Sequence, residues 1–107
     1  MKRFIIYFII TCIILSIFRP IIIQGDSMNP TLEDRQILLS CSLIEPEIGD
    51  IVIVDSSSFL NEECIIKRIT DIQGDKVFLQ GDNTEHSLDS REFGYIDKDL
   101  IISVLLY

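Results

Sequence analysis

From Phe4 to Phe18 the chain offers only two polar side chains, Thr11 and Ser16, and the run is bracketed by Lys2, Arg3 and Arg19. A segment this apolar can form a helix only if its whole circumference is covered. As a helix it spans roughly 22 Å, short of the ~30 Å hydrocarbon core of a bilayer. The flanking basic side chains can snorkel to the two interfaces and make up part of the difference. Pro20 then ends or bends the helix. A cleavable signal peptide is the rival reading, but Ser16-Ile17-Phe18-Arg19-Pro20-Ile21 offers bulky side chains where a cleavage site needs small ones. Residues 1–20 therefore read as an uncleaved transmembrane anchor. Two basic side chains precede the span and one follows, which puts the N-terminus in the cytoplasm and residues 21–107 outside the plasma membrane.

Net charge is -8, and all 17 acids lie at Asp26 or later. The part beyond the anchor is thus strongly acidic and repels phosphate backbones, which excludes nucleic acid as a partner. Cys12, Cys41 and Cys64 have no C-x-x-C spacing, so no zinc site is implied. A Cys41–Cys64 bridge is possible in an oxidising compartment, but buried small hydrophobes are the plainer reading.

Beyond the anchor, Ile21 to Ile23, Gln36 to Cys41, Asp50 to Val54, Cys64 to Ile72, Lys76 to Gln80 and Leu100 to Leu106 are short and rich in Ile, Val and Leu. Turn chemistry separates them. Ile51-Val52-Ile53-Val54 lies between aspartates and suits a strand buried on both faces. Gly74-Asp75 suits a hairpin turn. The expected fold is mainly β: a transmembrane helix, then one small curled or barrel-like antiparallel domain of about six strands.

Within that domain, Ser27 follows Gly25-Asp26 and precedes Met28-Asn29-Pro30, a context that presents a serine on a constrained loop. Alone it reads as a turn former. Lys67 stands in the apolar run Cys64-Ile65-Ile66-Lys67-Arg68-Ile69, where alternation puts it on the opposite face from Ile66 and Arg68. It is either an edge-strand gatekeeper or a functional amine. A neutral lysine can serve a serine as general base. At a pKa of ~10.4 about one lysine in 800 is neutral at pH 7.5, whereas desolvation to ~8 raises that to roughly a quarter. Ile65, Ile66, Ile69 and a nearby bilayer suit such desolvation.

Four boxes then stand in one order. Gly25-Asp26-Ser27-Met28-Asn29-Pro30-Thr31-Leu32 resembles the G-x-S-M-x-P-T-L box of the type I signal peptidase family, and Gly49-Asp50-Ile51-Val52 its G-D-[IV]-V box. Lys67-Arg68-Ile69 with Gly74-Asp75 resembles the family's lysine box. Gly81-Asp82-Asn83 with Ser87-Leu88-Asp89-Ser90-Arg91 resembles its G-D-N-x-x-x-S-x-D-S-R box. The resemblance implies a membrane-anchored Ser-Lys endopeptidase without cofactor or metal. Ser27 would be the nucleophile, Lys67 the base and Ser87 the group orienting the lysine. Asp89 would pair with Arg91 to stiffen the loop, and the Ser27 N–H would serve the oxyanion. Some members place a hydroxyl at the position of Gly25, which this chain lacks. Ile21, Ile23, Met28, Leu32 and Ile66 would wall pockets for exported preproteins with small residues before the cleavage site. Asp71, Gln73 and Thr84 depart from the family's boxes. Only Lys76 to Gln80 stand between Gly74-Asp75 and Gly81, where many members carry an inserted domain.

Other readings have less behind them. A Ser27–His86–Asp triad would need His86, which reads as a solvated loop residue. Asp82, Asn83, Glu85, His86 and Asp89 are oxygen-rich but do not fit a calcium loop. Arg68 is expected to pair with a surface acid. A self-cleaving repressor of the other Ser-Lys type is disfavoured, because an anchor precedes Ser27. The remaining alternatives are a maturation protease dedicated to one exported partner and an inactive anchored module that binds peptides as an added strand.

Overall fold

The computed structural model describes residues 1–85 and 87–106. It opens with helix α1 (Lys2–Ile17) and continues directly into strand β1 (Phe18–Ile22). Strands β2 (Ile37–Cys41), β3 (Ile51–Asp55), β4 (Cys64–Gln73) and β5 (Lys76–Gln80) follow. A short helix α2 (Ser90–Phe93), the two-residue β6 (Ile96–Asp97), a 3-10 turn (Lys98–Leu100) and β7 (Ile101–Leu106) complete the order. All strands join one antiparallel sheet in the order β1-β2-β7-β3-β4-β5-β6. The mainly β expectation holds. The seventh strand, β6, is too short to leave a period in the sequence.

The spanning helix is not seen in the expected form. No helix among the described residues is long and apolar enough to cross a membrane. The helix stops at Ile17, and Phe18, Arg19 and Pro20, assigned above to the anchor, pair with Cys41, Ser40 and Leu39 of β2. Proline is tolerated there because β1 is an edge strand, whose outer side needs no ladder N–H. The Ser42 N–H donates to the Ile17 carbonyl at 2.9 Å, so the helix root is tied to the end of β2.

Alternation along the strands builds two cores. Val52, Val54, Ile65, Ile69, Val77, Leu79, Ile96 and Val104 form one. Ile23, Met28, Leu32, Ile51 and Leu105 form the other, with Ile21, Leu38 and Ile66 packed against it. Strand β3 is buried from Ile51 to Val54, with Val52 and Val54 feeding the first core and Ile51, on the opposite face, the second. Gly74 takes φ +60 in the two-residue β4–β5 turn, where Gln73 pairs with Lys76. All three cysteines are free; Cys41 is buried, whereas Cys64 is exposed, contrary to the buried reading.

Candidate functional site

The chain between β1 and β2 carries Ser27. Met28 and Leu32 are 2% and 0% exposed in the second core, so this loop is held by apolar anchors immediately after the serine. Gly25 turns with φ +84, and its N–H donates to Asp34 Oδ1 at 2.8 Å. That N–H is therefore committed to the loop. The Ser27 N–H has no acceptor among the described residues.

Strand β4 carries Lys67 on the face it shares with Ile65 and Ile69, and only 5% of the lysine is exposed. Its Nζ donates to Ser27 Oγ at 2.9 Å. Burial pushes the ammonium's pKa below 10.5, while the negative charges of Asp89 and Glu62 oppose that shift. A hydroxyl and an amine distant in sequence thus meet at the rim of a hydrophobic core.

A third segment, running from the end of β5 to α2, locks the first two together. The Asn83 N–H donates to the Ser27 carbonyl at 2.8 Å, and Asn83 Nδ2 to the Asp26 carbonyl at 3.0 Å. Asp82 accepts from Arg68 Nε at 2.9 Å and Nη2 at 2.8 Å, while Arg68 Nη1 donates to the Gly49 carbonyl at 2.7 Å. Arg68 foremost, with a further hydrogen bond from Thr31, holds the Asp82 carboxyl below its usual pKa. Arg68 therefore pairs with an acid, as expected, and that acid belongs to the loop facing Ser27.

Asp89 is the hub of this segment. Its side chain is fully buried, and it accepts from the Gly81 N–H at 2.9 Å, Ser87 Oγ at 3.0 Å and Arg91 Nη2 at 2.7 Å. Burial pushes its carboxyl up, but these donors outweigh burial and hold it at about 2, below the ordinary 3.8. Ser87 differs from its expected duty: among the described residues its hydroxyl donates to Asp89 rather than meeting Lys67. Because the folded-state pKa is depressed, the stabilisation is complete above pH ~4 and is lost as pH falls through about 2. It amounts to roughly 2 kcal/mol. Asp89→Asn should lessen the fall in unfolding free energy between pH 5 and pH 2, read from urea denaturation, by that amount; an unchanged fall would contradict this assignment.

Two depressions meet at the Ser27–Lys67 pair. The larger, of about 540 Å³, runs between Ile22, Ile23 and Gln24 on one wall and Cys64, Ile65 and Ile66 on the other. From Cys64 to Lys67, β4 has only β3 as a sheet partner, because β5 joins it at Arg68. A smaller one, of about 210 Å³, passes Gly25, Asp26, Leu60, Glu62 and Leu88. Of the expected pocket residues, Ile23, Met28 and Ile66 line the larger groove. Ile21 and Leu32 do not: Ile21 sits in β1 opposite Leu38 and packs against the second core, and the loop turns Leu32 into that core. Sequence reasoning missed Ile22, Gln24 and Glu62. The position of Glu62 just before the strand that carries Lys67 was the available signal. The His86 triad lies outside the described residues.

Comparison with known proteins identifies the class as peptidase. The model described as signal peptidase, peptidase S26 matches residues 1–78 and 70–106, and the chain belongs to that family. Among its relatives is mitochondrial inner membrane protease subunit 1 of Mus musculus, 32% identical over 102 residues, covering 73% of this chain and 61% of that protein. The Homo sapiens protein of the same name matches with the same identity and coverage. The chain thus spans less than two thirds of the length of these curated relatives.

Proposed function

We propose that this chain is a membrane-anchored serine endopeptidase that removes signal or leader peptides from exported proteins, with Ser27 as nucleophile and Lys67 as general base. The observation that carries the reading is the 2.9 Å hydrogen bond between a buried lysine amine and a serine hydroxyl at the meeting point of two grooves. Ser27 Oγ attacks the scissile carbonyl as its proton passes to neutral Lys67 Nζ. The C–N bond then breaks and the lysine returns that proton to the leaving amine. Water, losing a proton to Lys67, attacks the acyl ester; the ester C–O bond breaks and the lysine passes that proton to Ser27 Oγ, freeing the serine. The Ser27 N–H stabilises the oxyanion. Ser87 and Asp89 act on the lysine through one buried network, with Ser87 holding Asp89 and the Asp89 charge facing the amine.

An exported preprotein lies extended along the open edge of Cys64–Ile66, with small side chains before the scissile bond seated against Ile23, Met28 and Ile66. The anchor reading is supported by α1, which has no buried residue and is apolar all round. Exposed Leu43 and Ile44 follow Ser42 at the root of this helix, where a bilayer surface would cover them. The plasma membrane, with the N-terminus cytoplasmic and the sheet outside, is the corresponding location. Within the same activity, a protease dedicated to one partner is favoured by the two-residue Gly74–Asp75 turn and five-residue β5, which leave no room for an inserted domain.

The test is cleavage of an Ala-x-Ala preprotein by the full chain in lipid vesicles across pH 5 to 10. Because the base must be neutral, kcat/KM should rise about tenfold per pH unit and level off at the lysine's lowered pKa. A flat profile from pH 6 to 10 would defeat the mechanism.

A further inference from the structure

The strand-edged groove accounts for only one side of a scissile bond. Beyond Ser27 and Lys67 the second depression continues past Leu60, Glu62 and Leu88. It runs on into a third, of about 520 Å³, that shares those three residues and is floored by Phe59. Ser56 holds this β3–β4 loop closed, donating from Oγ to the Glu62 carbonyl at 2.7 Å and from N–H to the Glu63 carbonyl at 3.1 Å. Phe59 packs against Phe93 at a tilt of 50° with ring centroids 4.9 Å apart, so the wall is fixed to α2. Leu88 is 54% exposed, and the Glu62 carboxylate has no hydrogen-bond or ion-pair partner among the described residues. Its charge nevertheless reaches Lys67.

We infer that this second depression is the leaving-side subsite and that Glu62 selects substrates carrying lysine or arginine just after the scissile bond. The inference rests on the endopeptidase reading above. An extended chain entering along Cys64–Ile66 and crossing Ser27 has this depression as its continuation. A long basic side chain fits both chemistries of the wall: its methylene stem lies on Leu60 and Leu88 while its charge meets Glu62. Among the described residues Lys67 is the only cation lining either depression, and it is already committed to Ser27, so it does not compete for the carboxylate.

The experiment uses the full chain in vesicles of neutral lipid and preproteins identical except for Lys or Glu at each of the first three positions after the cleavage point. At low salt the native chain should cleave the Lys form with a kcat/KM about three- to tenfold higher at one of those positions. The preference should shrink in 1 M salt and reverse in Glu62→Lys. The ratio is the readout, because altering Glu62 also moves the lysine's protonation, which scales both substrates alike. An equal ratio in native and Glu62→Lys proteins would overturn the inference while leaving the peptidase reading standing. No cleavage of any substrate would overturn both.

Discussion

Lys67→Met is expected to lower kcat for preprotein cleavage by about 10⁴-fold or more while leaving the fold intact or slightly more stable. Methionine has nearly the length of lysine and fills the same space on the Ile65–Ile69 face, but it has no lone pair basic enough to take the Ser27 proton. The two effects separate because the lysine is 5% exposed. Burying an ammonium costs stability, whereas burying a thioether does not. Asp89 keeps Arg91, Ser87 and the Gly81 N–H as partners, so removing the amine orphans no charge. Ser27→Ala should lose activity to the same degree, and the double variant should lose no more than either alone, since the pair acts as one unit. Cleavage rates of the variants, with thermal unfolding beside them, check this. Retained cleavage by either single variant would end the Ser-Lys reading.

Gly81→Ala is expected to lower kcat by about 10²-fold and to destabilise the fold by about 1–3 kcal/mol. A Cβ at Gly81 would lie 2.1 Å from Ser87 Oγ, 2.6 Å from Ser87 Cβ and 2.6 Å from the Ser27 carbonyl oxygen. The hydroxyl of Ser87 could rotate away, but the Ser27 carbonyl belongs to the backbone of the nucleophile itself. The two loops must separate, which stretches the Asn83 hydrogen bonds to Asp26 and Ser27 and tilts Oγ away from Lys67. Adding Ser87→Gly removes one obstacle and leaves the other, so the double variant should regain stability more than rate. Native-like turnover by Gly81→Ala would show that this contact does not set the geometry.

Gly81 illustrates what a sequence leaves unsaid. In the chain it reads as one more turn glycine before Asp-Asn, yet its backbone needs no left-handed conformation. Its requirement comes from Ser27 and Ser87 lying against it. Ser87 is similar: the family resemblance implies a hydroxyl orienting the amine, and folding brings Asp89 to that hydroxyl. Leu32 and Ile21 read as groove walls because they flank the serine, but the loop turns Leu32 into the second core and pairing of β1 with β2 lays Ile21 against it. Phe18 and Arg19 look like the end of the apolar segment, but β2 supplies a pairing edge that captures them as strand.

What residues alone determined was local and periodic. Short Ile- and Val-rich runs between turns dictated a β domain. The unbroken Ile51–Val54 run dictated a strand buried twice, and a lone lysine among isoleucines left two readings, an edge-strand gatekeeper or a functional amine. These follow from side-chain alternation and from the cost of desolvating charge, both of which act within a few residues. Tertiary structure alone decided the partners: which carbonyl Gly81 crowds, which carboxylate faces Lys67, and that Glu62 lines the groove beside Ser27 and Lys67. Those depend on loops brought together from β1, β4 and β5, and no pattern within any one of them encodes the distance to the others.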